Sequence, residues 1–112
     1  MNDYLMIIRG GGGLDSSPEE MQGHMAKWQK WMGGLAAAGQ LGGGEPLMSE
    51  GKSITNSGAT VLDRPLAEGK ELVGGYIIFK TDSLEAATEL AKGCPGLQEG
   101  SDLEIREIRK MG

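Results

Sequence analysis

His24 is the only histidine of the chain, and imidazole is the side chain best suited to proton transfer near neutral pH. Trp28 and Trp31 follow it by four and seven residues, so a helix here would place His24 at the border of an apolar face. A polar ring in that position can reach a cavity and, paired with a carboxylate, can act as a general acid or base. The alternative is a structural or surface histidine that takes no part in chemistry.

The segment DRPLAEGKELVGGYIIF, from Asp63 to Phe79, is the second candidate, because charged side chains and a proline precede a strand there. Asp63 would present a carboxylate at the end of the sheet, and Pro65 would make the turn rigid. The polar groups that could bind a ligand beside it are Arg64, Glu68 and Lys70.

Gly74 and Gly75 end this polar segment and carry no side chains, so another backbone, a helix or a ligand could approach them closely. The alternative interpretation of the segment is a solvated hairpin exit. Its charges would then serve only to keep an edge strand from pairing with other chains.

Other kinds of chemistry lack the residues that they need. A lone histidine without a second imidazole or a thiolate leaves zinc or iron underligated, so we expect no metal and no cofactor. The glycine run 10–13 follows a strand, as phosphate-binding loops do, but no Lys-Ser or Lys-Thr pair opens the next helix. Cys94 lies between Gly93 and Pro95 at a predicted helix end, where we expect a structural thiol.

The hydrophobic pattern predicts the elements that must position these residues. Strands are expected over residues 4–9, 73–80 and 103–108, with a weaker strand within 40–49 and a hairpin over 52–62. A first helix is expected from residue 18 towards residue 38, capped by Ser17 and Glu20. Its apolar stripe would consist of Met21, Met25, Trp28, Met32 and Leu35.

A second helix is predicted over residues 83–93, with Asp82 and Glu85 as its capping box. Its inner face would consist of Leu84, Ala87, Leu90 and Ala91. The resulting order favours an α+β, ferredoxin-like sandwich with an inserted β-hairpin, in which both helices cover one face of the sheet. The other face of the sheet carries residues such as Tyr76 and Ile78, whose exposure to water would be unfavourable. We expect a second copy of the chain to cover them, which makes the protein a homodimer.

Length and composition limit the classes of protein. The 112 residues predict a single domain, 1–112, with a modest core. A net charge of -5 makes binding of nucleic acid improbable, because phosphate contacts need clustered Lys and Arg. One cysteine and the lack of a long apolar run lead us to expect a cytoplasmic protein with no membrane segment.

The segment after residue 62 resembles the one that names the DGPF group of the YCII-related family. Its matching positions are Asp63, Pro65, Ala67, Glu68, Lys70, Glu71, Gly74, Gly75 and Tyr76. Further similarity lies in YLMII, SPEEM, LAAAGQLGGGEPL and DSLEAATELAKGCP. Arg64 and Leu66 depart from the family's glycine and phenylalanine, so the turn and the cavity wall should differ here.

This resemblance implies a fold that dimerises sheet to sheet into an α+β barrel. It also implies a cleft in which a histidine of the first helix and an aspartate act as a pair, for which His24 and Asp63 are the candidates. Two functions follow. One is a small-molecule enzyme that uses this pair without metal, and the other is a dimeric accessory or regulatory module that binds a ligand without turning it over.

Overall fold

The structure, a computed structural model, describes residues 1–10 and 17–111. Six strands and two helices are β1 (Asn2–Gly10), α1 (Pro18–Ala37), β2 (Leu41–Pro46), β3 (Ser53–Thr55), β4 (Thr60–Leu62), β5 (Val73–Thr81), α2 (Leu84–Ala91) and β6 (Ser101–Glu107). Every predicted element is present, including the weakly indicated β2. The loop predicted for the glycine run lies, beyond its first residue, outside the described residues.

Four strands form one antiparallel sheet in the order β2-β5-β1-β6. The order follows from two crossovers, since α1 carries the chain from β1 to β2 and α2 carries it from β5 to β6. The first crossover leaves room for one strand between β1 and β2, and β5 occupies it. The second leaves room between β5 and β6, and β1 occupies it. This is the ferredoxin-like α+β architecture that the sequence predicts.

The inner face of the sheet forms the core with the helices. Tyr4 pairs with Phe79 and Met6 with Ile77, and all four side chains are buried. Above them pack the buried residues Leu35, Ala87, Ala91 and Cys94. In the middle of β1 and β5 every second side chain is therefore buried, because neighbouring side chains of a strand point to opposite faces.

The outer face of the sheet has an apolar centre. Leu5 pairs with Ile78 and Ile7 pairs with Tyr76, in the register that alternates with the core pairs. All four are partly exposed. Within one protomer only the side of β1 towards the helices is therefore covered.

Helix α1 begins as predicted, with the backbone N–H of Glu20 donating to Ser17 Oγ at 3.2 Å. Its apolar stripe is buried only towards its C-terminal end. Leu35 is buried, whereas Met21 and Met25 are 47% and 57% exposed. The stripe was expected to face either a sheet or a partner, and within one protomer the sheet does not cover its first turns.

Helix α2 is capped by Ser83, whose Oγ accepts from the N–H of Ala86 at 3.0 Å, and not by Asp82. The predicted cap lay one residue too early, because either side chain can accept from a first-turn N–H. Leu84 is also largely exposed, although it was placed on the inner face.

The connection between β2 and β5 carries the predicted hairpin. We call residues 47–66 the arm. Its strands β3 and β4 pair only with each other, from Ser53↔Leu62 to Thr55↔Thr60. Ser53 Oγ donates to the carbonyl oxygen of Arg64 at 2.6 Å and closes the base of the hairpin. Apolar side chains exposed along the arm are Leu47, Met48, Ile54, Val61 and Leu66.

Candidate functional site

A cleft of about 610 Å³ lies between α1 and the end of the sheet where β5 begins. Helix α1 contributes Met25, Trp28 and Met32 to its wall. Of the two exposed methionines in the first turns of α1, Met25 therefore lines the cleft. The opposite wall is formed by Leu47, Met48, Gly74, Gly75 and Tyr76. Its character is that of small-molecule sites, which are mostly apolar with a few placed polar groups.

The polar groups of the cleft include two carboxylates, Glu45 and Glu99. A second depression, of about 710 Å³, lies on the other side of α1, between Lys27, Lys30, Trp31 and the turn at Gly93. It is lined by no carboxylate among the described residues. The first cleft is therefore the better candidate for acid-base chemistry.

His24 forms an ion pair with Glu99, which lines the cleft, but His24 is not itself among the described residues that line it. The distance between His24 Nδ1 and Glu99 Oε1 is 3.1 Å, and the side chain of Glu99 is only 11% exposed. The same Oε1 accepts from the indole Nε1–H of Trp28 at 3.2 Å. His24 and Trp28 lie one turn apart on α1, so one carboxylate oxygen reaches both donors.

Glu99 reaches this position through a tight turn between α2 and β6. A short 3-10 helix, Pro95–Leu97, is followed by a bond from the N–H of Glu99 to the carbonyl oxygen of Gly96 at 3.0 Å. A Cβ on Gly96 would lie 3.1 Å from Cζ2 of Trp28, so glycine allows the turn to pack against that ring. Gly100 has a φ of 89°, which favours glycine, and turns the chain into β6.

The pair has a defined chemical polarity. Nδ1 of His24 faces Oε1 of Glu99, so Nε2 is the ring nitrogen that is left to exchange a proton with a ligand or solvent. A carboxylate that holds an imidazole in one tautomer is the usual arrangement behind a histidine base.

Asp63 lies on the arm, 83% exposed, with Oδ1 2.7 Å from Nζ of Lys52. It does not line the cleft in the part of the chain that the structure describes. Among the described residues of one protomer, the carboxylate beside His24 is Glu99. The pairing of His24 with Asp63 thus stays a prediction.

The predicted ligand-binding residues are also exposed on and beyond the arm. The guanidinium of Arg64 donates to the carbonyl oxygen of Pro65 at 3.1 Å and lies 3.9 Å from Oε1 of Glu68. The backbone of Lys70 packs closely against Gly10 at the end of β1, since a Cβ on Gly10 would lie only 2.9 Å from the carbonyl oxygen of Lys70. A ligand-binding role for Arg64, Glu68 and Lys70 remains a prediction, since none of them lines the cleft in the described chain.

Gly74 and Gly75 do line the cleft, beside the start of β5. A Cβ on Gly75 would lie 3.1 Å from the carbonyl oxygen of Glu45, so the close neighbour is strand β2. Gly74 accepts the N–H of Leu47 on its carbonyl oxygen at 2.8 Å. The predicted close approach is thus made by another strand.

Cys94 is buried beneath the turn that carries Glu99. Burial raises the pKa of its thiol to about 11, and the nearby charge of Glu99 adds to the shift. A thiol with so high a pKa is a poor nucleophile at neutral pH, in agreement with the predicted structural role.

Within residues 1–10 and 17–111, no group of three or more His, Cys, Asp and Glu side chains could hold a metal ion. Neither described helix is long and apolar enough to cross a membrane.

The fold and the cleft define an α+β domain of ferredoxin-like type with a polar pair at the edge of an apolar pocket. A model of the YCII-related domain matches residues 4–111, and the chain belongs to that family. No curated protein matches the chain.

A similar solved structure is 5-chloro-2-hydroxyhydroquinone dehydrochlorinase from Burkholderia phenoliruptrix AC1100, in complex with 2,5-dihydroxybenzoquinone. It is 15% identical, with a TM-score of 0.56, and the match covers 97% of this chain and 95% of that chain. At this identity the similarity shows the shared fold.

Proposed function

We propose that the protein is a small-molecule enzyme that binds its substrate in the cleft beside α1 and moves a proton with His24, without a metal. The observation that carries the proposal is the His24–Glu99 pair, at 3.1 Å, in which Glu99 lines a mostly apolar cleft and connects it to His24. A held imidazole beside a hydrophobic pocket is suited to general acid-base catalysis on a ligand that the pocket orients.

The family resemblance adds Asp63 as a second carboxylate of the reaction. In the described protomer Asp63 contacts Lys52 on the arm, so its participation would need a shift of the arm or the arm of another copy. Arg64, Glu68 and Lys70 would then accompany it to the ligand. These four roles belong to the proposal.

A homodimer is part of the same proposal. Leu5, Ile7, Tyr76 and Ile78 form an apolar centre on the outer face of the sheet, away from both helices. A second copy placed on this face would bury it and close the α+β barrel that the family resemblance implies.

The first ligand class to test consists of planar, oxygenated rings. The structurally similar dehydrochlorinase was solved with 2,5-dihydroxybenzoquinone, which provides a probe. The apolar walls formed by Met25, Trp28 and Met32 suit a flat ring of that kind.

The second candidate is a non-catalytic ligand-binding or regulatory module. The observation in its favour is that His24 and Asp63 have separate partners in the protomer, Glu99 and Lys52. A module of this kind would gain stability from its ligand by mass action and leave it chemically unchanged.

The test compares the full-length protein with His24→Gln, and with Gln22→Ala as a surface control on the same helix. We expect 2,5-dihydroxybenzoquinone to raise the melting temperature of the wild type and of the control, and to do so less in His24→Gln. Release of chloride from 5-chloro-2-hydroxyhydroquinone would be measured in parallel. Turnover should fall about 100-fold or more in His24→Gln if His24 is the acid-base group.

Stabilisation with no turnover of any related compound would favour the binding module. A library of small phenols and quinones that failed to stabilise the wild type at millimolar concentration would contradict the proposal.

A further inference from the structure

We infer that Glu99 is a ligand-binding residue of the cleft, and that its Oε2 accepts a hydrogen bond from a hydroxyl or amine of the bound molecule. The inference rests on the proposed function, because it assigns a group to the same cleft. It also names the chemistry of the ligand: a flat, apolar body with one hydrogen-bond donor directed towards Glu99.

The first step of the argument is the fixed position of the carboxylate. Oε1 is held by His24 Nδ1 at 3.1 Å and by Trp28 Nε1 at 3.2 Å, so the side chain has little freedom to rotate. The turn bond from Glu99 N–H to Gly96 fixes the backbone as well. A carboxylate held in this way meets a ligand without losing further side-chain entropy.

The second step concerns the other oxygen. No donor among the described residues bonds to Oε2, whereas an ionised carboxylate can accept about four hydrogen bonds. No buried side-chain oxygen or nitrogen of those residues lacks a partner, so Oε2 keeps some accessible surface. Because Glu99 lines the cleft, that surface is available to a ligand there.

The third step separates Glu99 from the other carboxylate of the cleft. Glu45 also lines the cleft, but it lies on the edge strand β2, where it pairs with Tyr76 of β5, and it is exposed to solvent. A solvated carboxylate gains little by exchanging water for a ligand, whereas one that is only 11% exposed gains more from a new partner. The role inferred for Glu99 therefore does not extend to Glu45, and the matched control is Glu85, an exposed carboxylate of α2 that does not line the cleft.

The experiment uses two flat probes of nearly the same shape, 2-naphthol and 2-methylnaphthalene, which differ in having or lacking a hydroxyl donor. Binding to the full-length protein at pH 7 is followed by amide and indole N–H NMR signals. In the wild type we expect 2-naphthol to bind about tenfold more tightly and to shift the indole signal of Trp28. This comparison does not depend on any variant.

In Glu99→Gln the affinity for 2-naphthol should fall about tenfold, while 2-methylnaphthalene should bind as before. The amide oxygen can still accept from Trp28, but the amide nitrogen turns the second acceptor into a donor. Glu85→Gln, which changes an exposed carboxylate of α2 outside the cleft, should change neither affinity. A dispersed amide spectrum for each variant shows that it is folded.

Equal affinity of the two probes for the wild type would overturn the role of Glu99 and leave the cleft as a binding site. The same holds if Glu99→Gln retains the preference for 2-naphthol. If neither probe binds the wild type, the ligand-binding cleft itself is contradicted, and this inference with it.

Discussion

The turn between α2 and β6 determines the surroundings of two side chains, Glu99 and Cys94. Glu99 becomes the partner of His24 because Gly96 lets the turn pack against Trp28 and Gly100 turns the chain away. The same turn covers Cys94 and excludes water from its sulfur. One short segment therefore supplies both the carboxylate that contacts His24 and a buried thiol.

The thiol of Cys94 provides a prediction for the pH dependence of stability. Its pKa is raised by burial from 9.0 to about 11, so the folded state holds the proton more tightly than the unfolded state. The stabilisation is therefore complete below pH 9 and is lost as the pH rises through 11. A shift of this size corresponds to about 3 kcal/mol.

Urea unfolding between pH 8 and pH 11.5 would measure this loss in the wild type, in Cys94→Ala and in Cys94→Ser. We expect the free energy of unfolding of the wild type to fall by about 3 kcal/mol more than that of either variant, since neither can ionise there. The other groups that titrate in this range are common to all three proteins. Parallel pH profiles would show that Cys94 is ionised as readily in the folded chain as in the unfolded one.

At the scale of elements, glycines in β2 and α1 have opposite effects on stability. A Cβ on Gly44 of β2 would lie 2.6 Å from the carbonyl oxygen of Tyr76 and 3.0 Å from Cα of Ile77. The obstacle is backbone, which cannot move without disturbing the sheet. In contrast, a Cβ on Gly33 of α1 would meet nothing within 4 Å.

We predict that Gly44→Ala lowers the free energy of unfolding by about 1–3 kcal/mol, through overpacking of the edge strand. Gly33→Ala should raise it by about 1 kcal/mol, because alanine is the better helix former and the site is open. Thermal and urea unfolding of the two variants would measure both effects. If Gly44→Ala unfolded like the wild type, β2 would be free to move away from β5.

Elements of this fold could be predicted because their signals are local. The apolar runs of β1 and β5, the Ser17 cap and the turn residues near Gly58 each depend on neighbours in the sequence. The part of the α1 stripe that the sheet covers could not be predicted, for a related reason. Periodicity shows that Met21 and Met25 share a side with Leu35, but it does not show how far the sheet extends beneath the helix.

The site depends on non-local contacts and could be predicted only in part. His24 was found because it is the single histidine of the chain. Glu99 is one of 16 acidic residues and lies 75 positions away, and nothing in its local sequence marks it as the partner. Asp63 had a local motif in its favour, yet its side chain lies against Lys52 on the arm.

At the scale of the whole molecule, the protomer is flat and has one unpartnered face. It measures 46 × 45 × 17 Å, which is thin for a chain that buries a core between helices and a sheet. Its outer sheet face and its arm together hold many of the exposed or partly exposed apolar side chains. A second copy placed against the outer face of the sheet would cover the apolar side chains there, and those of the arm would be separate from it.

The last prediction follows from this shape. A sheet-to-sheet homodimer should bury about 1,200 Å² or more in total, which is the range of stable interfaces. Ile78→Lys would place a charge at the centre of the outer face, opposite Leu5, and should produce monomers because an unpaired charge would be buried. Leu97→Lys is the matched control, since Leu97 is exposed in the turn after α2. Light scattering at tens of micromolar should give a dimer for the wild type and for Leu97→Lys, and a monomer for Ile78→Lys. A wild type that scatters as a monomer would mean that the outer face stays in contact with water, and the closed barrel would have to be abandoned.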